Sequence, residues 1–282
     1  NELCFEDKWI LSKLNAVIRD VTDNMDKYEL GIAVQKVYDF LWDELCDWYI
    51  EMAKVRLWKA DEDPKAANDA LWTLRTALTE GLKLLHPYMP FITEEIYCTL
   101  LPEEESIMIS DWPVYQEAWV FPEAEKAVES FKEAIRGIRN TRTEMNVPMN
   151  RKTHLYVVGK DAETCARYEA CKKSFVNLAF AKEIHVQENK DGIGEDAVSV
   201  VVSDAVVYMP LEDLVDREKE MERLKKEQER LTKEIARCQG MLNNPNFVNK
   251  APEAKVNAEK EKLQKYEEMM EKVNVQLKQM EN

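Results

Sequence analysis

Glycine, histidine and paired cysteines are scarce in this sequence. Seven glycines in 282 residues disfavour a turn-rich all-β fold and favour long helices. The six cysteines and three histidines lie far apart, with no C-x-x-C pair and no zinc-ligand spacing. The sequence therefore predicts no metal site, and free thiols in a reducing cytoplasm. No stretch approaches the roughly 20 apolar residues of a membrane span, so we expect no membrane partner.

Catalytic motifs are missing as well. No Ser/His/Asp or Cys/His combination has a plausible context, and no glycine-rich loop is suited to cradle a phosphate. The lone G-x-G at 192–194 lies in a polar stretch and fits a turn better. Acidic runs such as 103–105 are usually solvated surface, so we expect no catalytic residue. The chain begins with Asn1 rather than Met, and we expect it to be part of a longer protein.

Acidic side chains are concentrated in the first third of the chain. The formal net charge of −15 argues against a non-specific nucleic-acid binder. Residues 1–112 carry 11 basic and 23 acidic side chains, a net of −12. Residues 113–212 carry 13 and 16, a net of −3, and residues 213–282 carry 15 of each. A polyanion is therefore expected to contact the later two-thirds or a local basic stripe.

The first third has the apolar period of amphipathic helices. Apolar residues three and four apart over 7–25 and 30–58 predict two helices. Pro64 and Pro90 suit the first turns of a third and a fourth helix, which would end near 85 and 101. The fold class is therefore mainly α, with an antiparallel helical bundle at 1–120.

Aromatic residues cluster on the second predicted helix. They are Tyr38, Trp42, Trp48 and Tyr49. Their helical spacing favours packing in the core of the bundle over a platform for stacking bases. Some members of this stripe must nevertheless face another element.

From about residue 121 the sequence has a mixed α/β character. A helix is predicted over 123–145, and a shorter one near 162–173 would cover one face of a sheet. Valine-rich runs predict the strands, with a tight turn at Ser203-Asp204 between the last two. The strands lie at 153–158, 183–187, 197–202 and 205–209. Residues 121–212 are therefore predicted to form a linking helix and a small α/β subdomain, with the strand order open.

Heptad spacing dominates the tail. Seam residues recur every seven positions over 214–242 and again over 256–277. The interruption between the two stretches is too short for parallel helices, so 213–282 is predicted to be an antiparallel coiled-coil arm. Gln228 and Glu259 would occupy seam positions, where polar side chains loosen the coiled coil but help to fix its register.

Arginines at three-residue intervals mark the helix predicted at 123–145. Arg136, Arg139 and Arg142 are expected on one face, where guanidinium groups can grip phosphates through two hydrogen bonds each. The alternative is that they pair with nearby acids such as Glu133, or with the acidic bundle. The sequence leaves both interpretations open.

The predicted arm carries a second set of basic residues. Its outer faces alternate basic and acidic side chains, as any solvated coiled coil does. The candidates for nucleic-acid contact there are Arg223, Lys226, Arg230 and Arg237. At the tip, Asn246, Phe247 and Lys250 are candidates for contact with nucleotides, Phe247 by stacking. The alternative role, which the sequence favours, is that Phe247 covers the last hydrophobic layer.

Four motifs resemble the C-terminal part of the valyl-tRNA synthetases, which are class I enzymes. The runs CDWYIEMAK at 46–54 and LLHPYMPFITEEIY at 84–97 are similar to the anticodon-binding helical domain of that class. The second run is shared with the isoleucine, leucine and methionine enzymes. The run IRNTRTEMN at 138–146, and NFVNKAP at 246–252 between two coiled-coil helices, resemble the valine enzymes. Gly240-Met241-Leu242 departs from the lysine–leucine that usually precedes the tip in this family.

The resemblance implies a tRNA-binding role beside a catalytic and an editing domain of the same full-length chain. The partner would be tRNA(Val), with the bundle on the anticodon stem-loop and the arm on the outer corner of the tRNA. ATP and magnesium would serve the full-length parent, and no cofactor is expected here, because the chain lacks the His-x-Gly-His and Lys-Met-Ser-Lys-Ser motifs. We expect a cytoplasmic monomer. The alternatives are a sister enzyme of the isoleucine type and a structural coiled-coil interaction protein.

Overall fold

The computed structural model of the chain describes residues 3–148, 150–214, 217–244 and 253–281. It divides into two compact units, Asn1–Leu211 and Glu212–Asn282. Within the described residues, no helix combines the length and the apolar character that crossing a bilayer requires. The domain boundary expected near residue 120 stays a prediction.

The first unit opens with helices that pack as a bundle. They are α1 Phe5–Asp26, α2 Leu30–Asp39, α3 Ile50–Leu57, α4 Pro64–Leu85 and α5 Pro90–Leu100. Pro64 and Pro90 each occupy a first helical position, where the missing N–H costs nothing. The Asp63 side chain accepts a hydrogen bond from the Ala66 N–H, which caps α4. The predicted helical bundle is confirmed.

A π-helical stretch, Phe40–Tyr49, joins α2 and α3 into one continuous helix. Its wider turn shifts the buried positions to Phe40, Leu45 and Tyr49, five and four residues apart. This shift places the four aromatic residues predicted on this helix in two different environments. The core position predicted for Trp48 and Tyr49 is confirmed, whereas Tyr38 and Trp42 are exposed and stack on each other with ring centroids 6.3 Å apart.

A four-stranded sheet follows in the same unit. Its strands are β1 Thr153–Gly159, β2 Ala181–Gln187, β3 Val198–Val201 and β4 Ala205–Met209, in the order β2-β1-β4-β3. β1 and β2 are parallel, and the crossover between them holds α7 Ala162–Ala170 and α8 Lys172–Leu178. β4 is antiparallel to both of its neighbours. The predicted turn at Ser203-Asp204 joins β3 to β4, and the short helix α9, Leu211–Leu214, follows.

Helix α6, Pro122–Glu144, connects the bundle to the sheet. On the bundle side, the Ser12 hydroxyl on α1 donates a hydrogen bond to Glu125. On the sheet side, Ser130 donates to Asp204 in the β3–β4 turn. Gly137 lies so close to β3 that a Cβ atom there would be 2.4 Å from Val200 Cγ1. These contacts fix which face of α6 remains for solvent.

The second unit is a helical hairpin of α10, Arg217–Leu242, and α11, Glu253–Glu281. Gln228 donates a 2.6 Å hydrogen bond to Asn274, and the Cys238 thiol lies 3.1 Å from the Glu259 carboxylate. Because early residues of α10 meet late residues of α11, the helices are antiparallel, as predicted. Gln228 and Glu259 are the polar seam residues that the heptads indicate, and Glu259 is buried.

Candidate nucleic-acid interface

Three cations of α6 surround one tryptophan of the π-helical stretch. The charged groups of Lys132, Arg136 and Arg139 lie 5.5, 5.2 and 6.0 Å from the centre of the Trp48 ring. Successive turns of α6 bring them there, and the π-helical shift turns Trp48 towards them. A cation over an aromatic face is attracted by the negative potential of the ring. Trp48 therefore supports a short basic ridge, although its spacing in the sequence indicates only a core residue.

Lys132 is the buried member of this group. Its side chain is 2% exposed and lies between Trp9 and Trp48. The ammonium group donates to Glu44 and, over 3.3 Å, to Glu129. All of its charge is thus used inside the protein, and Lys132 holds α6 against the bundle.

Arg136 and Arg139 are exposed on α6. The acid expected to pair with this ridge, Glu133, instead accepts hydrogen bonds from the Ser203 hydroxyl and, over 3.3 Å, from its N–H. Within the described part of the chain, neither arginine makes an ion pair. An internal ion pair is therefore not observed at these two positions among the described residues. Their contact with nucleic acid stays a prediction.

Arg139 is held by one of its three nitrogens. Its Nε donates to the Leu178 carbonyl over 3.1 Å, and its terminal nitrogens have no hydrogen-bond partner among the described residues. Partial burial lowers the pKa of Arg139, and the more distant charge of Glu51 opposes this change. The guanidinium is anchored yet keeps two donors for an acceptor from outside.

Arg142 does not share this exposed face, which corrects the expectation of three aligned guanidinium groups. Its side chain is 4% exposed and donates to the Arg151 carbonyl over 2.6 Å and to the Pro148 carbonyl over 3.2 Å. A step of three residues falls about 60° short of a full helical turn, so two steps rotate about 120°. This rotation carries Arg142 from the solvent side to the inner side, where it ties the end of α6 to the following loop.

The end of α6 explains the asparagine that closes the 138–146 motif. Asn146 has φ 54°, the left-handed conformation that asparagine tolerates better than most residues. Its N–H donates to the Thr143 carbonyl, and the Val147 N–H donates to the Arg142 carbonyl. This pair of bonds is a Schellman motif, which satisfies carbonyls that the helix end leaves open.

Three of the candidate basic residues of the hairpin lie on one side of α10. Lys226, Arg230 and Arg237 are exposed, and steps of four and seven residues place them on one stripe. Arg230 pairs with Glu227 at 2.7 Å, and Arg237 with Glu234 at 2.9 Å. Exposed pairs of this kind are weak, so phosphates can compete for Arg230, whereas Arg237 is also held by the buried Glu259 at 3.7 Å. The stripe remains a predicted contact.

Four other candidates have no described geometry. The side chain of Arg223 and the tip residues Asn246, Phe247 and Lys250 lie outside the described residues. Stacking by Phe247 and its covering of the last hydrophobic layer therefore both stay predictions.

Two known families match consecutive parts of the chain. The profile described as the anticodon-binding domain of tRNA ligase matches residues 7–157, which include the bundle and α6. The profile described as the valyl tRNA synthetase tRNA binding arm matches residues 216–281, which include the hairpin.

Several curated relatives of the chain are named valine–tRNA ligase. The valine–tRNA ligase of Clostridium perfringens is 48% identical over 279 residues, covering 96% of this chain and 31% of the relative. That of Clostridium tetani is 51% identical over 272 residues, covering 96% and 30%. That of Staphylococcus carnosus is 39% identical over 278 residues, covering 99% and 31%. The chain thus spans under a third of the length of these relatives. It belongs to the family of anticodon-binding domains of tRNA ligases and corresponds to the C-terminal part of the valine–tRNA ligases.

Proposed function

We propose that this chain positions tRNA(Val) for a valine–tRNA ligase. Its helical bundle would hold the anticodon stem-loop, and its hairpin would brace the outer corner of the tRNA. The observation that carries the proposal is the succession of an anticodon-binding profile and a valine-specific arm profile in one chain. The mechanism is positional, since contacts to phosphates fix the orientation of a nucleic acid but do not act on its reacting atoms.

The exposed cations support this role. Arg136 and Arg139 form a ridge in the first unit, and Lys226, Arg230 and Arg237 form a stripe on the hairpin. Planar guanidinium groups suit bidentate contact with phosphates. The residues up to 112 carry a net charge of −12, which disfavours phosphate contact over the rest of the bundle surface.

The reaction itself would take place elsewhere in the parent protein. We propose ATP-dependent joining of valine to tRNA(Val) at a catalytic domain, with a separate editing domain, both in the same full-length chain. ATP and magnesium would bind there, and the present chain would work without a cofactor as a cytoplasmic monomer. Accurate placement of the acceptor end would raise the rate because reactants held in the correct geometry react as if highly concentrated.

Capture from a total tRNA pool tests the proposal. The immobilised chain is incubated with total bacterial tRNA at low salt, and the retained species are sequenced. Enrichment of valine acceptors is expected. Enrichment of isoleucine acceptors, or retention of no tRNA, would contradict the proposed function. A variant with Arg136→Ala and Arg139→Ala is the matched control and should retain less tRNA.

A further inference from the structure

A cleft of about 360 Å³ lies between the last turn of α6 and the residue that precedes β2. It is lined by Arg139, Arg142, Thr143, Val147 and Phe180. We propose that this cleft receives one unstacked nucleotide of the bound tRNA, with its phosphate on Arg139 and its base on Phe180. The inference rests on the tRNA-binding function proposed above. The volume lies in the range of small-ligand sites.

Two cations line the cleft, and neither forms an ion pair among the described residues. Burial lowers the pKa of Arg142, and the neighbouring charge of Arg151 lowers it further. No carboxylate among the described residues makes an ion pair with Arg139 or Arg142, whose hydrogen bonds go to carbonyls and a hydroxyl. An anion in the cleft would therefore be attracted by two nearby cations, and the free terminal nitrogens of Arg139 can donate hydrogen bonds to it.

The helix end beside the cleft would ordinarily repel an anion. Carbonyls at the C-terminus of a helix carry partial negative charge. Here the N–H groups of Asn146 and Val147 close the carbonyls of Thr143 and Arg142, so the two guanidinium groups dominate the local field. The Thr143 hydroxyl is exposed on the last turn, where it donates to the Arg139 carbonyl over 2.8 Å and can still accept a hydrogen bond at the mouth of the cleft.

One aromatic face completes the site. Phe180 is only partly buried and has φ 54°, a conformation that a bulky residue rarely adopts. Its backbone is held there by the Thr153 N–H, which donates to the Phe180 carbonyl over 3.2 Å. The Arg142 guanidinium lies 5.7 Å from the ring. Unpaired bases in RNA commonly stack on such rings and on guanidinium planes.

Chemical probing of every base of a tRNA with a valine anticodon tests this subsite. The tRNA is bound at low salt to the 282-residue chain and to four single variants. Arg139→Ala removes the proposed phosphate contact, Phe180→Leu removes the stacking face, and Thr143→Val changes the mouth without touching the core. Arg75→Ala is the matched control, because it removes an exposed arginine that is already paired with Glu103 at 3.0 Å.

With the unchanged chain, one base of the tRNA is expected to be protected from the chemical probe. In Arg139→Ala and Phe180→Leu, this base should become reactive again while the rest of the footprint persists. These two variants should bind about tenfold more weakly, since a stacked base or a charged contact is worth about one such factor. Thr143→Val should weaken binding by less than these two variants, because the lost hydroxyl already donates to the Arg139 carbonyl, and Arg75→Ala should weaken it by less than twofold. A footprint that is identical in all variants, or an equal loss in Arg75→Ala, would overturn the cleft and leave tRNA binding intact. Absence of any footprint on the unchanged chain would instead overturn the proposed function, and the cleft with it.

Discussion

Asp7 is a fully buried carboxylate at the start of α1. Arg56 donates to its two oxygens over 2.7 and 2.6 Å, and the Tyr49 hydroxyl donates over 2.6 Å. Burial alone would raise the pKa of Asp7, but the hydrogen bonds and charge of Arg56, with the bond from Tyr49, hold it below its usual value. The carboxylate thus links α1, the π-helical stretch and α3.

The pH dependence of unfolding tests this network. A carboxyl whose pKa is lowered by folding contributes stability that is present above its unfolded value near 3.8 and lost as pH falls through its folded value. Urea titrations should therefore show Asp7→Asn to be less stable by about 3–5 kcal/mol at pH 7, with the gap closing below about pH 4. Asp23→Asn, an exposed change on the same helix, is the control and should keep the wild-type profile. A gap that persists unchanged at pH 2 would contradict this account.

The arginines of α6 should separate into two classes on mutation. Arg142→Ala leaves the Pro148 and Arg151 carbonyls without their donor, which should destabilise the protein by about 2–3 kcal/mol. Arg136→Ala combined with Arg139→Ala should destabilise the protein less than Arg142→Ala and weaken tRNA binding at least tenfold. Calorimetry and fluorescence anisotropy with labelled tRNA measure the two effects. Normal tRNA binding by the double variant would make the ridge merely structural.

Helices α1 and α6 and strand β3 depend on one another for their positions. Lys132 anchors α6 between Trp9 of α1 and Trp48, and the absence of a side chain at Gly137 lets β3 approach from the other side. The exposed basic ridge, Arg136 and Arg139, lies on the side of α6 that neither the bundle nor β3 covers. Its position is therefore a property of the packed elements and not of the helix alone.

Substitution of Gly137 tests the approach of β3 to α6. In Gly137→Ala the new Cβ would meet Val200 Cγ1 at 2.4 Å, although alanine is the better helix former. Overpacking of this kind usually costs about 1–3 kcal/mol. Adding Val200→Ala should recover part of the loss in a double-mutant cycle measured by urea unfolding. Gly240→Ala should be neutral or stabilising, because among the described residues no atom outside the helix's own nearby backbone lies within 4 Å of the added Cβ.

The whole molecule is strongly acidic for a proposed tRNA binder. Its net charge is −15, and the acid lies mainly in the first third of the chain. Phosphates would be repelled by most of that surface and attracted by the α6 ridge and the α10 stripe. Binding that depends on a few such cations releases counterions and is therefore sensitive to salt.

Salt titration tests this balance. The isolated chain should bind tRNA weakly, with an affinity that falls steeply between 50 and 300 mM salt, because a few phosphate contacts lose about an order of magnitude or more over such a range. Anisotropy at several salt concentrations measures the slope, and the variant Arg136→Ala with Arg139→Ala should reduce it. Tight binding that does not change over this range would contradict the electrostatic account.

The local regularities of the sequence were enough to predict the helices of the bundle, the strands and the hairpin. Apolar spacing, prolines at first turns and heptads act between residues close in the chain, so they can be read without the fold. The family resemblance, which rests on contiguous motifs, was available for the same reason. The hydrogen-bond partner of Gln228 could not be predicted in this way, because Asn274 lies on the other helix of the hairpin.

Tertiary structure decided the positions of the candidate contacts. The π-helical shift turned Trp48 towards α6 and left Tyr38 and Trp42 exposed, and three-residue spacing carried Arg142 inward. Phe180 reaches the cleft only because the chain passes through α7 and α8 before β2 pairs with β1. A one-dimensional period specifies which residues share a helix face. Only packing between distant segments determines which face is covered and which remains open to a ligand.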